Sequence, residues 1–364
     1  MKTQFQKRLE ELEFAVRLDS ASLRGLGREE IYRRLTQLIG RTPLTRIELA
    51  RGNVLYQKDE TRNPTESHYD RVFLVLLREL EREGRIKPGD VLCETTSGSA
   101  GISFAWMCRK LGYRSVVFAP DCIPLARKVE IENLADEYYY SQDDGAYLAA
   151  SAEMMRNYLR HSRWKFRAWS PNHSQDPRTL QAFTALTNEV IKRVTPIHYF
   201  IGGIGNGSTL LAIGRRLKNH RTLRRFHCKI LGFEPRSACP YYQTHRDRWG
   251  KVIPLFARDE DIPQKYSFHS LPGTGSFGNI RFPFMEMALA ENILDDVCII
   301  PDSLIPLANT AYNADLQPEE HQGNSSLVAR YIAQEMALYV ENKNFFTLIY
   351  DRGDRYGQPR RNRT

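Results

Sequence analysis

The chain has 364 residues, of which 41% are apolar, 11% aromatic and 26% charged, the balance of an ordinary cored protein of about two domains. Lysine and arginine outnumber aspartate and glutamate to give a net charge of +9, which admits a phosphorylated or acidic ligand without demanding nucleic acid. No apolar run is long enough to cross a bilayer, which excludes a helical membrane span.

Residues 1–8 run into Leu9-Glu10-Glu11 with no apolar leader, so a cytoplasmic protein is expected. Phe5, Leu9, Leu12 and Val16 recur at helical spacing, as do Ile31, Leu35 and Leu38 before Gly40, and predict a helical N-terminal arm over 1–40. Val54-Leu55-Tyr56 predicts a strand, followed by a helix through Val72, Leu76 and Leu80 that stops at Gly84. A strand over 90–94, a helix over 101–111 closed by Gly112, and a strand over 115–118 come next. Farther on, strands are expected at 197–201, 229–233, 297–300 and 346–350, with helices up to Lys218 and from Ser325 to Val340. Strands alternating with helices at this spacing argue for parallel βαβ units covered on both faces. The stretch 235–276, rich in Pro, Arg and His, is the most irregular. The tail 352–364 holds five arginines and reads as a solvated end. The six cysteines include no Cys-x-x-Cys pair and the nine histidines no His-Glu-x-x-His, so neither a disulfide framework nor a metal site is expected.

Two loops join a strand to a helix through glycine and hydroxyl residues: Thr95-Thr96-Ser97-Gly98-Ser99-Ala100-Gly101 and Gly202-Gly203-Ile204-Gly205-Asn206-Gly207-Ser208-Thr209. Free N–H groups at such a turn, together with the helix dipole, make an anion site, although each loop is equally a tight α/β connection. Two of them in one chain favour a bound phosphate or carboxylate. The second loop also admits a dinucleotide reading, with Glu234 ending the next strand where a ribose-binding acid would sit. Ser208 stands where the third glycine of that fingerprint belongs, which weakens it. In Asn63-Pro64-Thr65-Glu66-Ser67-His68-Tyr69-Asp70-Arg71, a polar turn leads into a helix start with Asp70 in its first turn.

The order of these segments is informative. Ile39-Gly40-Arg41-Thr42-Pro43-Leu44, the 63–71 segment, Thr96-Ser97-Gly98, Gly205-Asn206-Gly207-Ser208-Thr209, Gly232-Phe233-Glu234-Pro235, Gly323-Asn324-Ser325-Ser326 and Asp351-Arg352-Gly353-Asp354-Arg355-Tyr356 follow one another from Leu38 to Tyr356. The series resembles the cysteine synthase and cystathionine β-synthase group of pyridoxal-phosphate enzymes. The resemblance implies an α/β, two-domain parallel-sheet fold of the tryptophan synthase β-like class (fold type II). It divides the chain into a smaller α/β domain over 63–179 and a larger one over 41–62 plus 180–351. It also implies a homodimer to which the N-terminal arm contributes, acting on a small amino-acid or phosphorylated ligand.

The departures from that family fall on particular atoms. Tyr69 stands at the position of the Schiff-base lysine, and a phenol forms no imine. Lys58, just after a strand, is read as structural. The family's Thr-Ser-Gly-Asn-Thr substrate loop becomes Thr96-Ser97-Gly98-Ser99-Ala100, so Ser99 replaces the amide that contacts the ring oxygen. Arg352 replaces the serine that faces the ring nitrogen, where a cation would disfavour protonation. The phosphate loop Gly205, Asn206, Gly207, Ser208 and Thr209 is retained. Two readings remain open. In one, the chain binds pyridoxal phosphate or another phosphorylated ligand noncovalently and performs amino-acid β-replacement or elimination, with Tyr69 as a proton carrier or hydrogen-bond donor. In the other, it is a catalytically inactive pseudoenzyme serving as a ligand-binding or regulatory partner. A third, nucleic-acid binding, lacks a compact basic-aromatic motif.

Overall fold

The computed structural model describes residues 3–19, 22–23, 25–142, 148–162, 167–221, 223–252, 269–271, 273–275, 283–317 and 320–356. In chain order the elements are helices α1 (Gln4–Ala15) and α2 (Arg28–Leu38), strands β1 (Leu44–Glu48) and β2 (Val54–Asp59), then α3 (Tyr69–Arg82), β3 (Val91–Thr95), α4 (Ser99–Leu111), β4 (Arg114–Pro120), α5 (Leu125–Leu134), β5 (Glu137–Ser141), α6 (Leu148–Ser162), β6 (Ala168–Trp169) and α7 (Thr179–Ile191). They continue as β7 (Tyr199–Gly203), α8 (Ser208–Asn219), β8 (Lys229–Pro235), the short α9 (Pro240–Thr244), α10 (Pro283–Ala290), β9 (Asp296–Ile300), α11 (Leu304–Asn313), α12 (Asn324–Met336) and β10 (Asn344–Ile349).

The strands form two sheets. One has four strands in the order β5-β4-β3-β6, and the other six in the order β1-β2-β10-β7-β8-β9. Every pairing is parallel except β1 on β2, an antiparallel edge hairpin. This is the α/β parallel-sheet fold that the alternating pattern implies. The strands that pattern misses are β1, β5 and β6. Each lies at a sheet edge, where one flank is unpaired and the run of buried apolar residues is broken. Within the irregular stretch 235–276, residues 253–268, 272 and 276 lie outside the described residues.

The N-terminal helices are not a free arm. Phe5 and Leu9 of α1, and Ile31, Tyr32 and Leu35 of α2, are buried in the same core as Phe73, Leu76 and Trp106. Glu13 of α1 accepts the Trp106 indole N–H at 2.8 Å and pairs with Lys110 at 2.5 Å. No described helix is long and apolar enough to cross a membrane.

A buried ionic network ties β2 to α3 and α7. Arg71 donates to Glu60 at 2.6 and 3.0 Å and to Glu189 at 2.7 and 3.0 Å. Glu60, with no exposure, also accepts from Thr42 and Asn63. Lys58 gives its ammonium to Glu189 at 2.7 Å and to the Thr42 carbonyl, which makes it a structural residue. Burial raises the pKa of Glu189, and Arg71 with Lys58 overcomes this to bring the carboxyl down to about 2. Removing one member of a buried ionic cluster strands the others. Arg71→Ala is therefore expected to cost about 3–5 kcal/mol of stability, read from the denaturant midpoint of equilibrium unfolding.

Candidate functional site

The two glycine-bearing loops and the start of α3 converge on one cleft. It encloses about 620 Å3 of empty space counting its open mouth. Of the residues singled out by sequence, Tyr69, Ser97, Ser99, Gly205, Asn206, Gly207 and Thr209 line it. Thr96, Gly98, Ser208 and Arg352 do not appear in its described lining.

The α8 side is a cradle for an anion. Gly207 precedes Ser208, the first residue of α8, so the positive end of the helix opens into the cleft. A Cβ built on Gly205 would lie 2.1 Å from the Gly273 carbonyl oxygen, so the loop can approach its neighbour this closely only as glycine. Asn206 Oδ1 accepts the Ser208 main-chain N–H at 2.9 Å and its hydroxyl at 2.7 Å. That leaves the Asn206 NH2 to donate to a ligand, while Ser208 shapes the turn. These features fit a phosphate.

The α4 side is differently built from expectation. Thr96 Oγ1 accepts the N–H groups of Gly98 and Gly101, both at 2.9 Å, and so holds the loop that presents Ser97. Gly98, at φ 138°, is covered by Arg127: a Cβ there would lie 2.1 Å from Arg127 Cδ. Arg127, buried on α5, donates to the Ser97 carbonyl at 2.8 Å and lies over the Tyr356 ring, 4.7 Å from its centroid. Ser99 Oγ donates to Asp351 Oδ2 at 2.6 Å, Tyr356 donates to Asp351 Oδ1 at 2.8 Å, and Arg127 lies 3.5 Å from the same carboxylate.

Arg352 does not face the cleft as expected. Its guanidinium pairs with Glu66, with Glu130 at 2.9 Å and with Asp354 at 2.5 Å, because three carboxylates lie on the outer side of the segment. Asp351, one residue earlier, lines the cleft instead. The reading of 352–364 as a solvated end is also corrected where it is described. Arg355 has no exposure and holds Glu130 at 2.7 Å and the Thr65 carbonyl at 2.8 Å. Residues 357–364 lie outside the described residues.

Tyr69 opens α3 and packs against both principal cores. Burial, then the Asp351 carboxylate, pushes its phenol up to about 12. His68 lies against it, with ring centroids 4.0 Å apart, and His173 meets it edge-on at 5.4 Å. Sequence reasoning missed His68, Arg127, Tyr350 and the cleft-facing role of Asp351. His68, Tyr350 and Asp351 stand next to or within motifs it had isolated, whereas Arg127 in the helix of residues 125–134 carries no local signal.

Glu234 does not serve the glycine loop. It is fully buried and accepts the Tyr241 and Tyr242 main-chain N–H groups at 3.3 and 2.9 Å, outside the described cleft lining, which removes the dinucleotide reading's ribose acid.

Residues 35–265 match the family described as pyridoxal-phosphate dependent enzyme. Cysteine synthase of Staphylococcus aureus is 29% identical over 334 residues, spanning 88% of this chain and 94% of that protein. Among solved structures, an O-acetylserine dependent cystathionine beta-synthase from Helicobacter pylori superposes with a TM-score of 0.71 at 21% identity, covering 89% of this chain and 96% of that one. An O-ureido-L-serine synthase gives 0.70 at 20% identity, covering 88% and 92%. At these identities the two structures share the fold.

Two outcomes are expected. Gly205→Ala is expected to weaken pyridoxal phosphate binding at least about tenfold, because the added methyl collides with the Gly273 carbonyl; fluorescence titration measures it. The second concerns Glu234, whose carboxyl burial pushes up to about 8. The native state then binds a proton that the unfolded chain releases above its ordinary pKa of 4.5, so this group lowers stability as pH rises from about 5 to 8. Glu234→Gln removes that titration. Its melting temperature relative to the parent chain is expected to climb across that window and level off above it.

Proposed function

The chain belongs to the pyridoxal-phosphate dependent enzyme family, and we propose that it holds pyridoxal phosphate, or a phosphorylated ligand of similar shape, without a covalent bond. The observation that carries this reading is the composition of one cleft. The glycine cradle at the head of α8 and Tyr69 line it together, and among the described residues no lysine does. A phenol does not condense with an aldehyde. The ammonium of Lys58 is committed to Glu189 and the Thr42 carbonyl.

In this reading Gly205, Asn206, Gly207 and Thr209 receive the phosphate at the positive end of α8. Ser97 offers its hydroxyl at the head of α4 to a substrate carboxylate or a ring oxygen, while Ser99 gives its hydrogen to Asp351 and presents its oxygen as an acceptor. Thr96 and Gly98 act one step back by shaping that loop. Asp351, in place of Arg352, meets the ring edge, where a carboxylate favours positive charge and an arginine would oppose it. When bound, the cofactor supplies an electron sink suited to amino-acid β-replacement or elimination. Tyr69 keeps its proton up to about pH 12, so at neutral pH it donates and does not act as a base. That property also supports a second reading, a ligand-binding or regulatory module without turnover. The homodimer implied by resemblance would use a surface other than the apolar face of α1 and α2, which packs inside its own chain.

The test is reductive trapping. Protein loaded with pyridoxal phosphate and treated with borohydride is expected to yield no phosphopyridoxyl-lysine peptide by mass spectrometry, and to release its ligand intact on denaturation. An adduct on Lys58 or on any other lysine sinks the reading. Tyr69→Lys is expected to gain such an adduct.

A further inference from the structure

Two rings face the place where the family's lysine stands, and their hydrogen-bonding characters are opposite. His68 and Tyr69 both line the cleft. His68 Nδ1 lies 3.1 Å from the Tyr350 carbonyl oxygen, which also accepts the His68 main-chain N–H at 3.1 Å. A carbonyl oxygen only accepts, so Nδ1 carries the ring hydrogen and Nε2 carries a lone pair. Contacts with Tyr69 at 4.0 Å, Phe183 at 5.8 Å and the edge of Tyr350 at 5.4 Å keep the imidazole from turning over. Burial lowers the His68 pKa from its ordinary value; Asp351 and Glu60 act in the opposite sense, and His173 adds to the lowering. The ring is neutral at neutral pH and offers Nε2 as an acceptor. Tyr69, by contrast, is a phenol that keeps its hydrogen.

We propose that the ligand this cleft selects is the amine form, pyridoxamine 5′-phosphate, over the aldehyde, with the ligand's amino group donating to His68 Nε2. The inference rests on the reading that a phosphorylated pyridine occupies the cleft. In the family the aldehyde serves to bond the lysine, and here that position is Tyr69. An aldehyde oxygen is an acceptor only. It can take the Tyr69 O–H, but it leaves the Nε2 lone pair facing no donor, and an unmatched buried acceptor costs binding energy. An amino group supplies that donor. As a cation it also gains from Asp351, the one carboxylate among the described lining residues.

The test is calorimetric titration of the full chain, freed of bound small molecules, with pyridoxamine 5′-phosphate, pyridoxal 5′-phosphate and inorganic phosphate at about pH 7.5. The amine is expected to bind at least about tenfold tighter than the aldehyde. His68→Leu is expected to bring the two within about threefold, and His68→Gln, which keeps an acceptor oxygen, to retain part of the preference. An aldehyde that binds the parent chain as tightly as the amine overturns the proposal and leaves the noncovalent reading standing. If neither pyridine nor phosphate binds, the occupancy reading fails and the proposal with it. The parent-chain ratio decides the matter even where His68→Leu does not fold.

Discussion

The carboxylate of Asp351 is the constraint on which the cleft depends. It lies just past the end of β10, the strand between β2 and β7 in the larger sheet. Its oxygens receive Ser99 from the head of α4 and Tyr356 from the following turn, with Arg127 of α5 close by. The main chain at the same point pairs with Ser67, and His68 donates its N–H to the Tyr350 carbonyl. One short segment thus sets the position of the α4 loop, of Arg127 and of the residues leading into Tyr69. A buried carboxylate with three donors is worth keeping only if all of them are present, since a partly satisfied buried charge is costly.

That segment also explains why neighbouring residues have opposite fates. Asp351 faces the cleft, while the guanidinium of Arg352 turns outward to Glu66, Glu130 and Asp354. Arg8 of α1 joins the outer cluster through Glu66 at 2.9 Å, and the Phe5 ring lies 5.6 Å from both Arg352 and Arg355. The N-terminal helix therefore braces the outer side of the segment whose inner side shapes the cleft. Part of the chain's excess positive charge is consumed here, in pairs that carry no ligand.

The fold was legible wherever a strand is central. Val91–Thr95, Lys229–Pro235 and Asn344–Ile349 are almost wholly buried runs because helices cover both faces. Edge strands such as Glu137–Ser141 leave side chains in solvent and lose that signature. At the site, glycine and hydroxyl loops were legible because their backbone needs are written in residue type. Which hydroxyls reach a ligand was not. Thr96 and Ser208 belong to the right loops yet spend their oxygens on the turns themselves. Arg127 comes from a helix with no motif of its own, and only packing over Gly98 reveals it. Arg352 misled because position in a motif does not fix the side to which a side chain turns; the carboxylates around it did.

In the proposed reading, the chemistry follows from which groups of the family stand exchanged in this chain and which are kept. A phosphate held by a glycine loop and a helix N-terminus is an electrostatic and hydrogen-bonded attachment that owes nothing to the lysine. In that reading Tyr69 stands at the lysine position, so a covalent bond and a base are absent together, and burial against both cores drives the phenol away from service as a replacement base. The neighbouring imidazole moves the other way, since burial favours its neutral form. In the proposed reading, a cleft with no lysine among its described lining residues and with a fixed acceptor beside a fixed donor is complementary to a ligand that brings its own amine.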